Sequence, residues 1–147
     1  MRAGRDRLQI RSEPAELSGI RAMLKALRRG ETVGLLPDQV PDPNRGGEGV
    51  WADFFGRPAY TMTLAQKLSK TTRALVVMIA CVRLPHAVGY RLVFTPLAPF
   101  SEHAETAARE LNAAVEAAIA LAPDQYLWSY NRYKVPAGVV QPTKESA

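Results

Sequence analysis

The order of apolar and polar positions divides the chain into a short series of elements. Leu17, Ile20, Leu24 and Leu27 recur at three- and four-residue spacing, which places them on one stripe of a helix. Pro14 opens that helix with Glu13 and Glu16 near its start. Lys25, Arg28 and Arg29 fill its last turn and Gly30 closes it, an arrangement that suits the helix dipole. The stripe is expected to cover a sheet. Residues 8–10 form a candidate edge strand ahead of it, and residues 32–36 a short apolar strand that Pro37 stops. Residues 40–49 hold too many prolines and glycines for either regular state. Pro58 and Ala59 then lead into a second helix, where Thr63-Leu64-Ala65-Gln66 fits a capping box and Leu64 and Leu68 turn inward.

Residues 74–82 are continuously apolar and rich in β-branched side chains, which predicts a strand buried on both faces. Residues 84–87 read as a turn and residues 88–97 as the returning antiparallel strand, stopped by Pro96 and Pro99. Residues 104–122 are alanine-rich, with Leu111, Val115, Ala118 and Ile119 on one face, and predict a long helix ended by Pro123. Residues 125–134 then crowd aromatic side chains with two cations. This order predicts the α/β class, a small mixed sheet flanked by helices, with residues 136–147 as a loose tail.

A length of 147 residues suits one domain, and the composition is that of a globular chain. No apolar run approaches the ~18 residues of a membrane span, and residues 1–7 lack the apolar core of a secretory signal. Cys81 stands alone in an apolar run and is expected to be a small core residue of a reducing compartment. The net charge of +5 is confined to one end. Residues 1–30 hold eight Arg/Lys against three Asp/Glu, and the rest of the chain is balanced. That asymmetry suits an anionic partner, or equally a solvated basic face. The aromatics gather near the other end rather than among these cations, which argues against nucleic acid.

Candidate chemistry centres on Asp38. It follows a predicted strand, and ligands of α/β proteins bind outside the carboxyl ends of strands. Trp51, Phe54 and Phe55 follow the loop, either as a plug that anchors it or as an apolar wall for an acyl chain or the bilayer. Neither His86 nor His103 has a carboxylate at a useful local spacing. No nucleophile-elbow serine and no metal-ligand spacing occurs, so a complete acid–base set is not visible.

Three blocks carry a resemblance: Leu36-Pro37-Asp38-Gln39; Gly49-Val50-Trp51 with Phe54-Phe55-Gly56-Arg57-Pro58-Ala59 and Thr61; and Gln125-Tyr126-Leu127-Trp128 with Arg132-Tyr133-Lys134. In order and spacing, from about Arg5 to Lys134, they resemble the late acyltransferases of lipid A biosynthesis, the lauroyl and myristoyl transferases of Gram-negative bacteria. Tyr130-Asn131 departs from the His-Arg of many relatives. The resemblance implies a glycerolipid-acyltransferase-like fold on the cytoplasmic face of the inner membrane, held there peripherally in this chain. It also implies acyl carrier protein as donor, a lipid A precursor as acceptor, an anionic membrane surface as partner, and neither metal nor cofactor.

The family's catalytic pair is a His followed five positions later by Asp or Glu. His86 is followed at that offset by Arg91 and His103 by Ala108, so no catalytic residue is expected in this chain. The resemblance therefore implies that residues 1–135 are the carboxy-terminal part of one acyltransferase domain, inactive alone. Asp38 matches the family's strand-end aspartate. Arg5, or Arg7 with a shift of two, matches an arginine ahead of the first helix. With Gln39 these are the expected supporting residues, arginine being suited to bidentate phosphate contacts. A plain salt bridge from Asp38 to an arginine is the alternative. Two other readings stand beside this one. One is a membrane-binding module using Arg5, Arg7, Arg21, Lys25 and Arg28. The other is a glycerol-phosphate acyltransferase relative, which would carry Pro-Glu-Gly-Thr where Pro37-Asp38-Gln39-Val40 stands.

Overall fold

A computed structural model describes residues 11–13 and 16–142, so the edge strand expected at 8–10 and the site residues Arg5 and Arg7 lie outside the described residues. Three helices, α1 (Leu17–Arg28), α2 (Leu64–Thr72) and α3 (Ala104–Ala120), accompany four strands, β1 (Gly49–Phe54), β2 (Arg57–Met62), β3 (Val77–Arg83) and β4 (Tyr90–Pro96). The class is α/β as expected. The strands form two separate antiparallel hairpins, β1–β2 and β3–β4.

Helix α3 is the scaffold on which both hairpins rest. Its Val115 and Ile119 pack with Phe54 and Ala59 of the first hairpin, while Ala107 and Leu111 pack with Ala65 of α2 and with Phe100. Met78 of β3 touches both groups and joins them into one core. The alanine-rich sequence allows this close approach, because small side chains let a helix lie against a sheet while Leu, Val and Ile fill the gaps.

The first hairpin corrects the expectation that Pro58 and Ala59 enter a helix. Phe55 (φ 48°) and Gly56 (φ 69°) are both left-handed, the geometry of a two-residue turn that matches strand twist. Pro58 is tolerated in β2 because it lies opposite Asp53, one pair beyond the Phe54–Arg57 pair that closes the turn. At that position in an antiparallel ladder, no N–H to the partner strand is required. The turn is tied to α3 by the Phe55 N–H, which donates to Glu116 Oε1 at 2.9 Å, and Arg109 pairs with the same carboxylate at 2.7 Å.

Several local expectations yield to longer-range packing. Residues 32–36 run extended but join no strand. Helix α1 packs on α2 rather than over a sheet, with a cavity of about 800 Å³ between the two helices and the loop at 39–48. The capping box does not form. Gln66 turns away from the start of α2 and donates to the carbonyl of Ser101 at 2.6 Å. Strand β3 is not buried on both faces, since Ile79 is 55% exposed and Cys81 is exposed rather than a core residue. The tail is tethered at least once, where the Trp51 indole N–H donates to the carbonyl of Val140 at 2.8 Å.

One polar group occupies the interior. Arg132, 3% exposed, donates through Nη1 to the carbonyl of Tyr60 and through Nη2 to Thr61 Oγ1 and Asn112 Oδ1, at 2.9–3.0 Å. Asn112, 1% exposed, donates to Thr61 Oγ1 and to the carbonyl of Asp53, both at 2.9 Å. The guanidinium also lies over the Phe54 ring, 5.1 Å from its centroid. These bonds join β1, β2, α3 and the segment after Pro123.

Candidate functional site

The Arg132 network brings the carboxy-terminal aromatic block against the segment that carries Asp38. The chain turns at residues 37–39 after its extended run, and the Val40 N–H donates to Tyr130 Oη at 2.9 Å, over 90 positions in sequence. Val40 is buried, Asp38 is half-buried and Gln39 is exposed. Two of the blocks singled out in the sequence, residues 36–39 and 125–134, thus meet at one place.

Tyr126 faces Asp38 there. Its hydroxyl is buried and interacts with the Asp38 carboxylate without reaching full hydrogen-bond geometry. Burial, reinforced by the Asp38 charge, pushes this phenol up to about 12. The phenol and the carboxylate together place a donor beside an acceptor at this turn. Burial pushes the Arg132 guanidinium down, opposed by the nearby Tyr126, Tyr130 and Asp38. Arg132 Nε finds no hydrogen-bond partner among the described residues. Among the described residues no ion pair within 4 Å involves Asp38 or Arg132; Arg5 and Arg7, the arginines expected near Asp38, lie outside those residues.

The aromatic residues divide. Phe54 is 1% exposed and belongs to the core, where the Tyr133 hydroxyl donates to its carbonyl at 2.8 Å. It serves as the plug, and its place in the core corrects the expectation that it contacts an acyl chain or membrane. Trp51 stacks edge-on against its cross-strand partner Tyr60. Phe55, 45% exposed, lies with the 58%-exposed Trp128 at the hairpin turn, the one part of the cluster that faces outward. Among the described residues no group of three or more His, Cys, Asp or Glu could hold a metal ion, and no helix is long and apolar enough to cross a membrane.

Sequence reading placed Asp38 at the site but missed Tyr126, Tyr130 and Arg132. The signal was the density of aromatics and cations in residues 125–134, whose partner segment lies about 90 positions away.

The raised Tyr126 phenol has a measurable consequence. A tyrosine raised in the folded state stabilises the fold below its unfolded value of about 10, and that contribution is lost as pH climbs toward 12. Ultraviolet titration of the five tyrosines is expected to show one still protonated at about pH 11. That titration is absent in Tyr126→Phe and shifted down in Asp38→Asn. A folded chain whose tyrosines all titrate near pH 10 contradicts this placement of Tyr126.

Comparison with known proteins extends the geometry. Residues 2–135 match the model of the bacterial lipid A biosynthesis acyltransferase family. The chain is 33% identical over 137 residues to the lipid A biosynthesis lauroyltransferase of Escherichia coli K12, covering 90% of this chain and 44% of that protein. It is 32% identical to the lipid A biosynthesis palmitoleoyltransferase of the same organism, over 88% of this chain and 43% of the relative. A lipid A biosynthesis acyltransferase of Haemophilus influenzae is 30% identical over 78% of this chain and 35% of its own length. The chain therefore spans less than half the length of these relatives. The match takes in both segments that meet at Asp38 and the buried Arg132, and the chain belongs to the bacterial lipid A biosynthesis acyltransferase family.

Proposed function

We propose that this chain supports transfer of a fatty acyl group from acyl carrier protein to a hydroxyl of a lipid A precursor, at the cytoplasmic face of the inner membrane. In that reaction the hydroxyl oxygen attacks the thioester carbonyl, a base removes the hydroxyl proton, and the thiol departs. The observation that carries the reading is the pairing of Asp38 with the buried Tyr126 hydroxyl, in a chain of this family. A carboxylate that accepts and a phenol that stays protonated and donates can hold and orient a polar acceptor. Neither replaces the base. His86 lies in a surface turn and His103 at the start of α3, neither with a carboxylate hydrogen bond among the described residues, so the proton acceptor is supplied from elsewhere. The chain by itself is accordingly expected to be inactive.

Membrane association rests on α1. Arg21, Lys25 and Arg28 lie at three- and four-residue spacing on its exposed side and make no ion pair among the described residues. By contrast Lys67 pairs with Glu48 and Lys70 with Glu102. The free column suits anionic headgroups, with each cation near such a surface worth about 1 kcal/mol.

Two measurements check these readings. In an enzyme made whole by the remaining portion of a relative, Asp38→Asn is expected to lower turnover roughly a hundredfold with an unchanged melting temperature, as for loss of a charge used in the reaction. A destabilised but fully active Asp38→Asn enzyme removes Asp38 from the site, and transfer by the isolated chain overturns its dependence on an outside base. The chain is also expected to bind vesicles containing anionic lipid in a salt-sensitive manner. Equal binding to neutral vesicles contradicts the role of α1.

A further inference from the structure

The second hairpin carries an unfinished edge. The Leu97 N–H donates to the Val76 carbonyl and the Leu84 N–H to the Gly89 carbonyl, so the even-numbered residues of β3 face β4. In an antiparallel ladder the alternate residues then point their N–H and C=O groups the other way. At Arg83 those two groups are already satisfied by a side chain acting as a peptide group. Gln125 Oε1 accepts from the Arg83 N–H at 2.8 Å, and Gln125 Nε2 donates to the Arg83 carbonyl at 3.1 Å. Further along the same edge, the backbone groups of Val77, Ile79 and Cys81 have no partner among the described residues.

This edge forms one wall of an apolar trough of about 610 Å³. Consecutive residues of β3, of both parities, line the trough, so it runs along the strand edge rather than over a face. The opposite wall is the extended, unpaired run at 32–36, again through consecutive residues, and the floor is Leu111, Val115, Ala118 and Ile119 of α3. Two extended segments facing each other across an apolar helix leave the room of an absent strand.

We propose that this trough seats an extended, apolar polypeptide strand, which pairs with Val77, Ile79 and Cys81 of β3 and joins the β3–β4 hairpin to the extended run at 32–36 in a larger sheet. The strand comes from the portion of the family's proteins that this chain does not span, which is more than half of the Escherichia coli lauroyltransferase. An acyl chain also suits an apolar trough but carries no peptide groups to meet the edge, and the amide at Arg83 shows the chemistry that the edge accepts. The inference rests on family membership and backbone geometry; Asp38 and Tyr126 line the same trough, but the exchange of the β3 amides reads the strand alone.

Hydrogen exchange on two proteins tests it: this chain as it stands, and a chimera in which it replaces the matched part of the Escherichia coli lauroyltransferase. Fusion supplies a high effective concentration, so weak affinity between species does not obscure the outcome. The amides of Val77, Ile79 and Cys81 are expected to exchange rapidly in the chain alone and at least tenfold more slowly in the chimera. Met78, Ala80 and Val82, paired with β4, stay protected in both and report that the hairpin is folded. Ala118→Arg, which fills the trough from its floor, is expected to restore rapid exchange at the three odd positions only. Rapid exchange there in a folded chimera overturns the proposal. So does binding of laurate by the chain that is lost in Ala118→Arg while the three amides exchange alike in both proteins, because the trough is then an acyl site.

Discussion

A buried guanidinium with no carboxylate bonded to it among the described residues is the constraint on which the rest of this structure depends. Arg132 is 3% exposed, and its charge is met by oxygen dipoles and an aromatic face, with the Asp38 charge nearby. Such a group is tolerated when most of its donors are met, since each orphaned polar atom inside a protein costs ~1–3 kcal/mol; here, among the described residues, both Nη groups are met and Nε is not. Asn112 and Thr61 meet two of those requirements from α3 and β2, and the Tyr60 carbonyl a third. The hairpin, the helix and the carboxy-terminal segment are therefore fixed to one another by a shared need rather than by apolar contact alone. Because Tyr126 and Tyr130 shortly precede Arg132 in sequence, fixing the cation also fixes the two phenols that face Asp38 and Val40.

The same economy explains why the polar site lies next to an apolar trough. Residues 32–36 end at Pro37-Asp38, so the segment that walls the trough also delivers the carboxylate. Completing the sheet across that gap would fix residues 32–36 as a strand and hold Asp38 at its carboxyl end, the position where α/β sheets present functional groups. Site and trough are thus two aspects of one segment.

Some of this was legible in the sequence and some was not. The helix at Ala104–Ala120 and the β3–β4 hairpin follow from patterns that are local, an apolar stripe in alanine and two β-branched runs around a proline turn. The β1–β2 hairpin was hidden because its turn is Phe55-Gly56, without the usual Asn or Asp, and because Pro58 reads as a helix entrance until its ladder position is known. The capping box at Thr63 failed because Gln66 serves carbonyls near α3, about 35 positions away. Residues 32–36 have the composition of a strand, which needs a neighbour to pair with, and Cys81 shares an exposed face of the β3–β4 hairpin with Leu92. Asp38 was legible from its place after an apolar run. Its partners were not, since no local spacing encodes a contact between residue 38 and residue 126.

The central claim is that the Arg132 network holds the aromatic block against the Asp38 segment. Exchange of the Val40 amide measures it directly, because that amide donates to Tyr130 Oη and reports the opening of this one junction. In Arg132→Lys the charge is kept but the forked donor that bridges Tyr60, Thr61 and Asn112 is lost. The account predicts that Val40 then exchanges much faster, while amides within α1 keep their rates. An unchanged Val40 rate in a folded Arg132→Lys protein would show that the junction forms without the buried cation.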